Sequence, residues 1–159
     1  MTKIYLAYGS NLNLEQMAQR CPTARVLGSA RLMGYKATFR GMDGNAVMNI
    51  EQDVAGVVPV LLWEIEPNDE VALDRYEGFP RLYRKEFVAV TFKGARVKAM
   101  VYVMNEGQPL GTPGNRYYRI ISQGYREAGF NIGILHQAVR ESTFPGQVPR
   151  YRPNYNFRW

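Results

Sequence analysis

A short apolar run, Ile4-Tyr5-Leu6-Ala7, passes directly into Tyr8-Gly9-Ser10-Asn11-Leu12 and then into a helix-start signal. No other stretch constrains the fold as much, because it reads as a strand feeding a small polar loop that feeds a helix. Asn13 is placed to cap that helix, Gln16 three residues on is placed to reach back in a capping box, and Leu14, Met17 and Ala18 are expected to form its apolar face. A loop of this kind gathers backbone N–H groups at the positive end of a helix, which suits a carboxylate or an oxyanion. Gly9 permits close backbone approach, and Ser10 and Asn11 add side-chain hydrogen bonds.

A second segment, Leu73-Asp74-Arg75-Tyr76-Glu77-Gly78-Phe79-Pro80, adds an acid. Pro67-Asn68-Asp69 starts a helix, Ala72, Leu73 and Tyr76 form its inner face, and Gly78 with Pro80 ends it. Glu77 therefore falls in the last turn. There the helix dipole opposes a negative charge, and partial burial would raise the carboxyl pKa further. Such an acid suits general base chemistry.

These segments, together with Met17, Arg20, Cys21 and Pro22, then Tyr83, and finally Tyr117 with Ile120, Ile121, Gly124 and Gly129, resemble the gamma-glutamylcyclotransferase-like family. The resemblance runs in family order from about Lys3 to about Ala138. It implies an α+β fold, a small mixed β-barrel with flanking helices. It further implies that the loop Tyr8, Gly9, Ser10, Asn11 and Leu12 binds the gamma-glutamyl end of a small-molecule substrate, that Glu77 is the acid/base, and that Tyr83 and Tyr117 line the pocket. The implied reaction cyclises a gamma-glutamyl amide to 5-oxoproline and releases an amine or amino acid. Two other readings stay open: a non-catalytic module that binds a small molecule or carboxylate on the same fold, and a basic nucleic-acid-associated protein.

The rest of the chain reads as strand-rich. Lys3 to Tyr8 is one strand. Arg25 to Gly28 and Tyr35 to Arg40 are two strands or one bent strand, which the turn 41–45 returns through Ala46 to Ile50. Val57 to Glu64 is apolar enough for a central strand. Glu86 to Phe92 and Arg96 to Met104 alternate around Lys93-Gly94-Ala95 as a hairpin. A helix over Asn115 to Ala128 aligns Tyr117, Ile120, Ile121 and Tyr125, and another starting near Asn131 carries Leu135 and Val139. Asn105 to Gly114, rich in Gly and Pro, is expected to be a mobile loop over the site.

At 159 residues, 46% of them hydrophobic, the chain can bury one core and is expected to form a single domain over residues 1–159. Val54 to Trp63, its longest apolar segment, is interrupted by Gly56 and Pro59 and is too short to span a bilayer, so no membrane partner and a cytoplasmic location are expected. The one histidine, His136, falls on a late helix with no nearby acid, so a surface or capping role is expected of it and not a catalytic triad, and the one cysteine, Cys21, excludes an intrachain disulfide and a thiolate metal cluster. No metal and no cofactor are expected. The net charge of +6 directs attention to the last twenty residues, where four Arg and one Glu are interleaved with Tyr151, Tyr155, Phe157 and Trp159. Arginines among aromatics can grip single-stranded nucleic acid. The prolines 145, 149 and 153 favour instead a tail packed on the barrel, so a nucleic-acid partner is not expected. Homodimerisation is left open.

Overall fold

The computed structural model describes residues 1–145, so Tyr151, Tyr155, Phe157 and Trp159 and the reading built on them lie outside the described residues. Five strands and four α-helices follow in the order β1 (Lys3–Ala7), α1 (Leu14–Arg20), β2 (Arg25–Arg40), β3 (Val47–Ile65), α2 (Pro67–Glu77), β4 (Tyr83–Phe92), β5 (Ala95–Met104), α3 (Asn115–Ala128) and α4 (Ile132–Thr143). A short 3₁₀ turn, Ser10–Leu12, stands between β1 and α1.

β1 is short and apolar because it is the centre of the sheet, whose order is β2-β3-β1-β5-β4. It runs antiparallel to β3 and parallel to β5. Leu6 and Ala7 belong to one buried cluster with Leu62 of β3, Val101 of β5, Ile121 and Tyr125 of α3 and Leu135 of α4. Each such side chain contributes about 1.5–3 kcal/mol through the apolar surface it removes from water. No helix among the described residues is long and apolar enough to cross a membrane.

The two pieces expected on either side of Gly28–Gly34 are one strand, β2, and the returning piece and the central strand are likewise one strand, β3. Bulges at Val26/Gly28 and Met33/Tyr35 bend the pair without ending it, and Pro59 sits inside the ladder opposite Arg31. The bending carries β2 round towards β4 until a Cβ on Gly28 would stand 3.0 Å from the Phe92 ring. No ladder joins these two strands, so the mixed barrel expected from the sequence is an open, strongly curled sheet.

α1 and α3 occupy the expected spans, but α1 is attached differently. Asn13 caps it by accepting the Gln16 N–H at 3.0 Å, whereas the Gln16 side chain accepts from Arg20 instead of reaching back. Only Met17 is buried; Leu14 and Ala18 face solvent, because α1 touches the body along a narrow seam.

The seam that positions the functional region lies between the loop after β1 and α3. Asn13 Nδ2 donates to the Ile120 carbonyl at 3.0 Å. A Cβ on Gly124 would stand 2.8 Å from the carbonyl carbon and the Cβ of Leu12, so only glycine lets the helix come this close. Gly124→Ala is therefore expected to push α3 off the loop and to cost about 1–3 kcal/mol, as overpacking a well-filled site does. Thermal melting checks this, and an unchanged melting temperature would show that the approach is not set at Gly124.

Candidate active site

At the end of β1 the chain turns sharply. Gly9 O accepts the Leu12 N–H at 3.0 Å and Ser10 O accepts the Asn13 N–H at 3.1 Å, which closes the 3₁₀ turn. The N–H groups at the start of such a turn have no partner within it. Ser10 and Asn11 are buried there. The Ser10 and Tyr76 hydroxyls share a hydrogen bond of 2.8 Å, which ties the turn to α2. Asn11 is held from both ends, its Oδ1 accepting from Arg20 and its Nδ2 donating to the Tyr5 hydroxyl at 2.9 Å. The Arg20 guanidinium also lies 3.4 Å from the centre of the Tyr76 ring. Gly9 has φ −121°, so its role does not lie in a positive φ. A Cβ there would meet Met48 Cβ at 3.4 Å and the Tyr117 hydroxyl at 3.6 Å, and anything larger would run into the cavity wall.

Glu77 is the last residue of α2, as the sequence indicates, and Gly78 follows with φ 66° as its left-handed cap. The helix is anchored to the sheet one turn earlier. The Tyr102 hydroxyl donates to Asp74 Oδ1 at 2.6 Å, and Lys85 on β4 donates to Glu70 Oε2 at 2.7 Å and to Asp74 Oδ2 at 3.0 Å. Glu77 is half-buried, and desolvation pushes its carboxyl up to about 7 while the Arg20 charge draws it back. Burial, more than the helix end, is what raises it.

The two later tyrosines meet at the backbone of one residue, Met48. Tyr83 donates its hydroxyl to the Met48 carbonyl at 2.6 Å, and Tyr117 accepts the Met48 N–H at 2.9 Å. Tyr8 donates to the Tyr102 carbonyl at 2.7 Å. Tyr8, Gly9, Ser10, Asn11, Glu77, Tyr83 and Tyr117 thus line one cavity of about 230 Å³. Leu12 does not line it: its side chain is fully buried in the core behind the turn. The sequence reading missed Tyr5, Met48, Tyr76 and Tyr102, which also line the cavity. Tyr5 and Tyr102 alternate with core residues along their strands and look like core, and Met48 contributes mainly its backbone.

Asn105 to Gly114 does not cover this cavity. It is strapped to the β2–β3 turn by Gly41 N–H to Pro109 O at 2.9 Å and Gly44 N–H to Thr112 O at 2.8 Å. Its first residues line a separate, more polar groove between Arg40 and Arg84. Cys21 is buried, its thiol pushed up to about 11 mainly by desolvation, and donates to the Asp69 carbonyl, so it is a packed residue. His136 is exposed and stacks on Tyr118. Among the described residues no group of three or more His, Cys, Asp or Glu is arranged to hold a metal ion.

Residues 5–126 match the family described as gamma-glutamyl cyclotransferase, AIG2-like. The chain belongs to this family. The match takes in β1 from Tyr5 on, the loop, Glu77 and both later tyrosines. The gamma-glutamylcyclotransferase of Mus musculus is 28% identical over 158 residues, covering 92% of this chain and 84% of that one. The Homo sapiens protein of the same name is 26% identical over 156 residues, covering 91% and 82%. A solved structure named gamma-glutamyl cyclotransferase superposes with a TM-score of 0.75 at 24% identity, covering 98% of this chain and 95% of that one, and shares the fold.

The raised Glu77 pKa has a consequence for stability in this cyclotransferase-family chain. The folded state holds the proton up to about pH 7, the unfolded chain only to the ordinary carboxyl value near 4.5. As pH rises through that window the fold must either keep a proton the unfolded chain has lost or carry a buried charge, so stability falls. Glu77→Gln has no such loss. At pH 8 it is expected to gain on the order of 1–3 kcal/mol over the parent, relative to the difference between them at pH 4. Denaturant titrations at the two pH values test this; a gap that does not change with pH would mean Glu77 is not desolvated.

Proposed function

We propose that this protein cyclises gamma-glutamyl amides to 5-oxoproline, with Glu77 as general base and then general acid. The observation that carries the reading is a desolvated carboxyl with a pKa of about 7 in the same cavity as the turn Gly9–Asn11. Family membership supports it, as do relatives named gamma-glutamylcyclotransferase.

The substrate's own α-amine can reach its side-chain carbonyl through a five-membered ring. Folding the substrate therefore makes the attack intramolecular, with effective molarities of roughly 10⁵ M or more for well-oriented groups. Glu77 as carboxylate takes a proton from the α-ammonium. The free amine attacks the gamma carbonyl carbon, a C–N bond forms, and the carbonyl oxygen becomes an oxyanion. When that intermediate collapses, protonated Glu77 gives its proton to the departing nitrogen as the C–N bond to it breaks, and the regenerated carboxylate takes the second proton from the ring nitrogen and passes it to the released amine, which leaves as an ammonium. Glu77 ends as carboxylate, no water is consumed, and the products are 5-oxoproline and the released amine. A base of pKa near 7 is matched to this exchange at neutral pH. The cavity, lined by six tyrosines, removes water from around the reacting groups.

The alternative, a carboxylate-binding module without turnover, keeps the loop but gives Glu77 no task. A buried acid with no ligand to serve would only destabilise the fold.

Incubation with a panel of gamma-glutamyl amino acids, amines and peptides, followed for 5-oxoproline, tests the function. Glu77→Gln is expected to keep the fold and lose about 10²- to 10⁴-fold in rate. For the parent, kcat/KM should rise with pH through about 7 as the carboxylate forms in the free protein. Near-parental turnover by Glu77→Gln would overturn the assignment.

Substitutions in the loop should separate bulk from hydrogen bonding. Gly9→Val fills the space before Met48 and Tyr117 and should abolish turnover with a much smaller effect on melting. Ser10→Ala removes one hydrogen bond, worth about 0.5–1.5 kcal/mol. Normal kinetics for Gly9→Val would place the substrate elsewhere.

A further inference from the structure

A phenol carries one proton and can accept at its oxygen, so each cavity tyrosine can be assigned by where its proton goes. A carbonyl oxygen cannot donate. Tyr8, 2.7 Å from the Tyr102 carbonyl, and Tyr83, 2.6 Å from the Met48 carbonyl, therefore give up their protons to the protein and present only lone pairs to the cavity. Tyr117 is the reverse case. It receives the Met48 N–H at 2.9 Å, and its own proton has no protein acceptor among the described residues. Tyr5 matches Tyr117, receiving Asn11 Nδ2 at 2.9 Å. The Asn11 amide cannot be turned the other way, because Arg20, which only donates, occupies its Oδ1.

The cavity is thus polarised. Acceptors, namely Tyr8, Tyr83 and Glu77, suit an ammonium group; the free donors Tyr5 and Tyr117 suit oxygen anions. The two donors also differ from each other. Tyr5 is backed through Asn11 by the permanent charge of Arg20, which favours a ligand group that is always negative. Tyr117 is neutral, oriented by a backbone N–H, and stands beside Gly9, where the turn meets the cavity. Burial holds its pKa far above the usual tyrosine value, so it keeps its proton at neutral pH. A fixed neutral donor is suited to charge that appears only in the transition state.

We propose that Tyr117 is a catalytic residue whose hydroxyl holds the gamma carbonyl oxygen as it becomes the oxyanion, while Tyr5, backed by Asn11 and Arg20, holds the substrate α-carboxylate. The inference rests on the cyclotransferase reading above. It fixes the direction in which the gamma-glutamyl group lies, with the ammonium towards Glu77, Tyr8 and Tyr83. Tyr117 only donates a hydrogen bond; the proton inventory of the reaction stays with Glu77 and the substrate.

The two donors should separate in steady-state kinetics of the full chain with the best gamma-glutamyl substrate of the panel. Tyr117→Phe is expected to lower kcat by about 10²- to 10³-fold with KM nearly unchanged, as loss of an oxyanion donor does. Tyr5→Phe is expected to raise KM by about tenfold or more with kcat nearly unchanged, as loss of a hydrogen bond to a charged group does. Because Tyr117→Phe also strips the Met48 N–H of its partner, ring-fluorinated tyrosines at position 117 provide a second test. They keep both hydrogen bonds while making the phenol more acidic, so kcat should change with phenol acidity while KM stays flat. A kcat indifferent to that acidity, or the reverse split between Tyr5→Phe and Tyr117→Phe, overturns the assignment alone. A parent protein that releases no 5-oxoproline from any gamma-glutamyl compound overturns the cyclotransferase reading and this assignment with it.

Discussion

The contact between α3 and the turn after β1 is what the cavity depends on. The turn supplies the backbone groups of Gly9 to Asn11, and α3 supplies Tyr117, two helical turns before Gly124. Neither element alone makes a wall. The distance between them is set where the missing Cβ of Gly124 lets the helix rest on Leu12, and Asn13 bonding to the Ile120 carbonyl fixes the helix along its axis. Leu12, fully buried, is the floor on which this contact rests. That gives the last residue of the loop motif a packing role in place of the pocket-lining role its neighbours have.

Hydrogen bonding then distributes polarity over surfaces that are otherwise aromatic. Met48 is the clearest case, since its carbonyl accepts a hydrogen bond from Tyr83 and its N–H donates one to Tyr117. A β4 residue and an α3 residue are thereby referenced to the same point on β3. Tyr102 acts in a comparable way on the opposite side, its carbonyl held by Tyr8 and its hydroxyl by Asp74, so that the loop, β5 and the helix carrying Glu77 form one connected frame. Each phenol in the frame is buried or nearly so, and each bond counts for more there than it would in water.

Much of this was legible in the residues, and the failures have physical causes. α1 and α3 carry local start and stop signals, and the Glu77–Gly78 helix end is announced by the glycine itself, so their spans agree with the sequence reading. β2 and β3 were read as fragments because Gly28, Gly34, Gly56 and Pro59 are breakers in a flat sheet, whereas in a strongly curled one they mark bulges and bends. Tyr5 and Tyr102 were invisible as site residues, because a buried aromatic facing a cavity and one facing the core have the same alternation along a strand. Gly9 was legible as a place of close approach, and the structure puts that approach in the space in front of Met48 and Tyr117.

The segment Asn105 to Gly114 looked like a lid because Gly and Pro suggest mobility. Its hydrogen bonds instead spend that irregular backbone on the β2–β3 turn: Gly111 donates to the Phe39 carbonyl at 3.1 Å and Thr112 accepts from both Gly44 and Ala46. The mouth of the Glu77 cavity is bordered instead by the end of α2 and the residue before β4, with Tyr76 and Leu82 partly exposed at its edge. Solutes then enter and leave this cavity without waiting for the strap to move, because its irregular backbone is committed to another edge of the sheet.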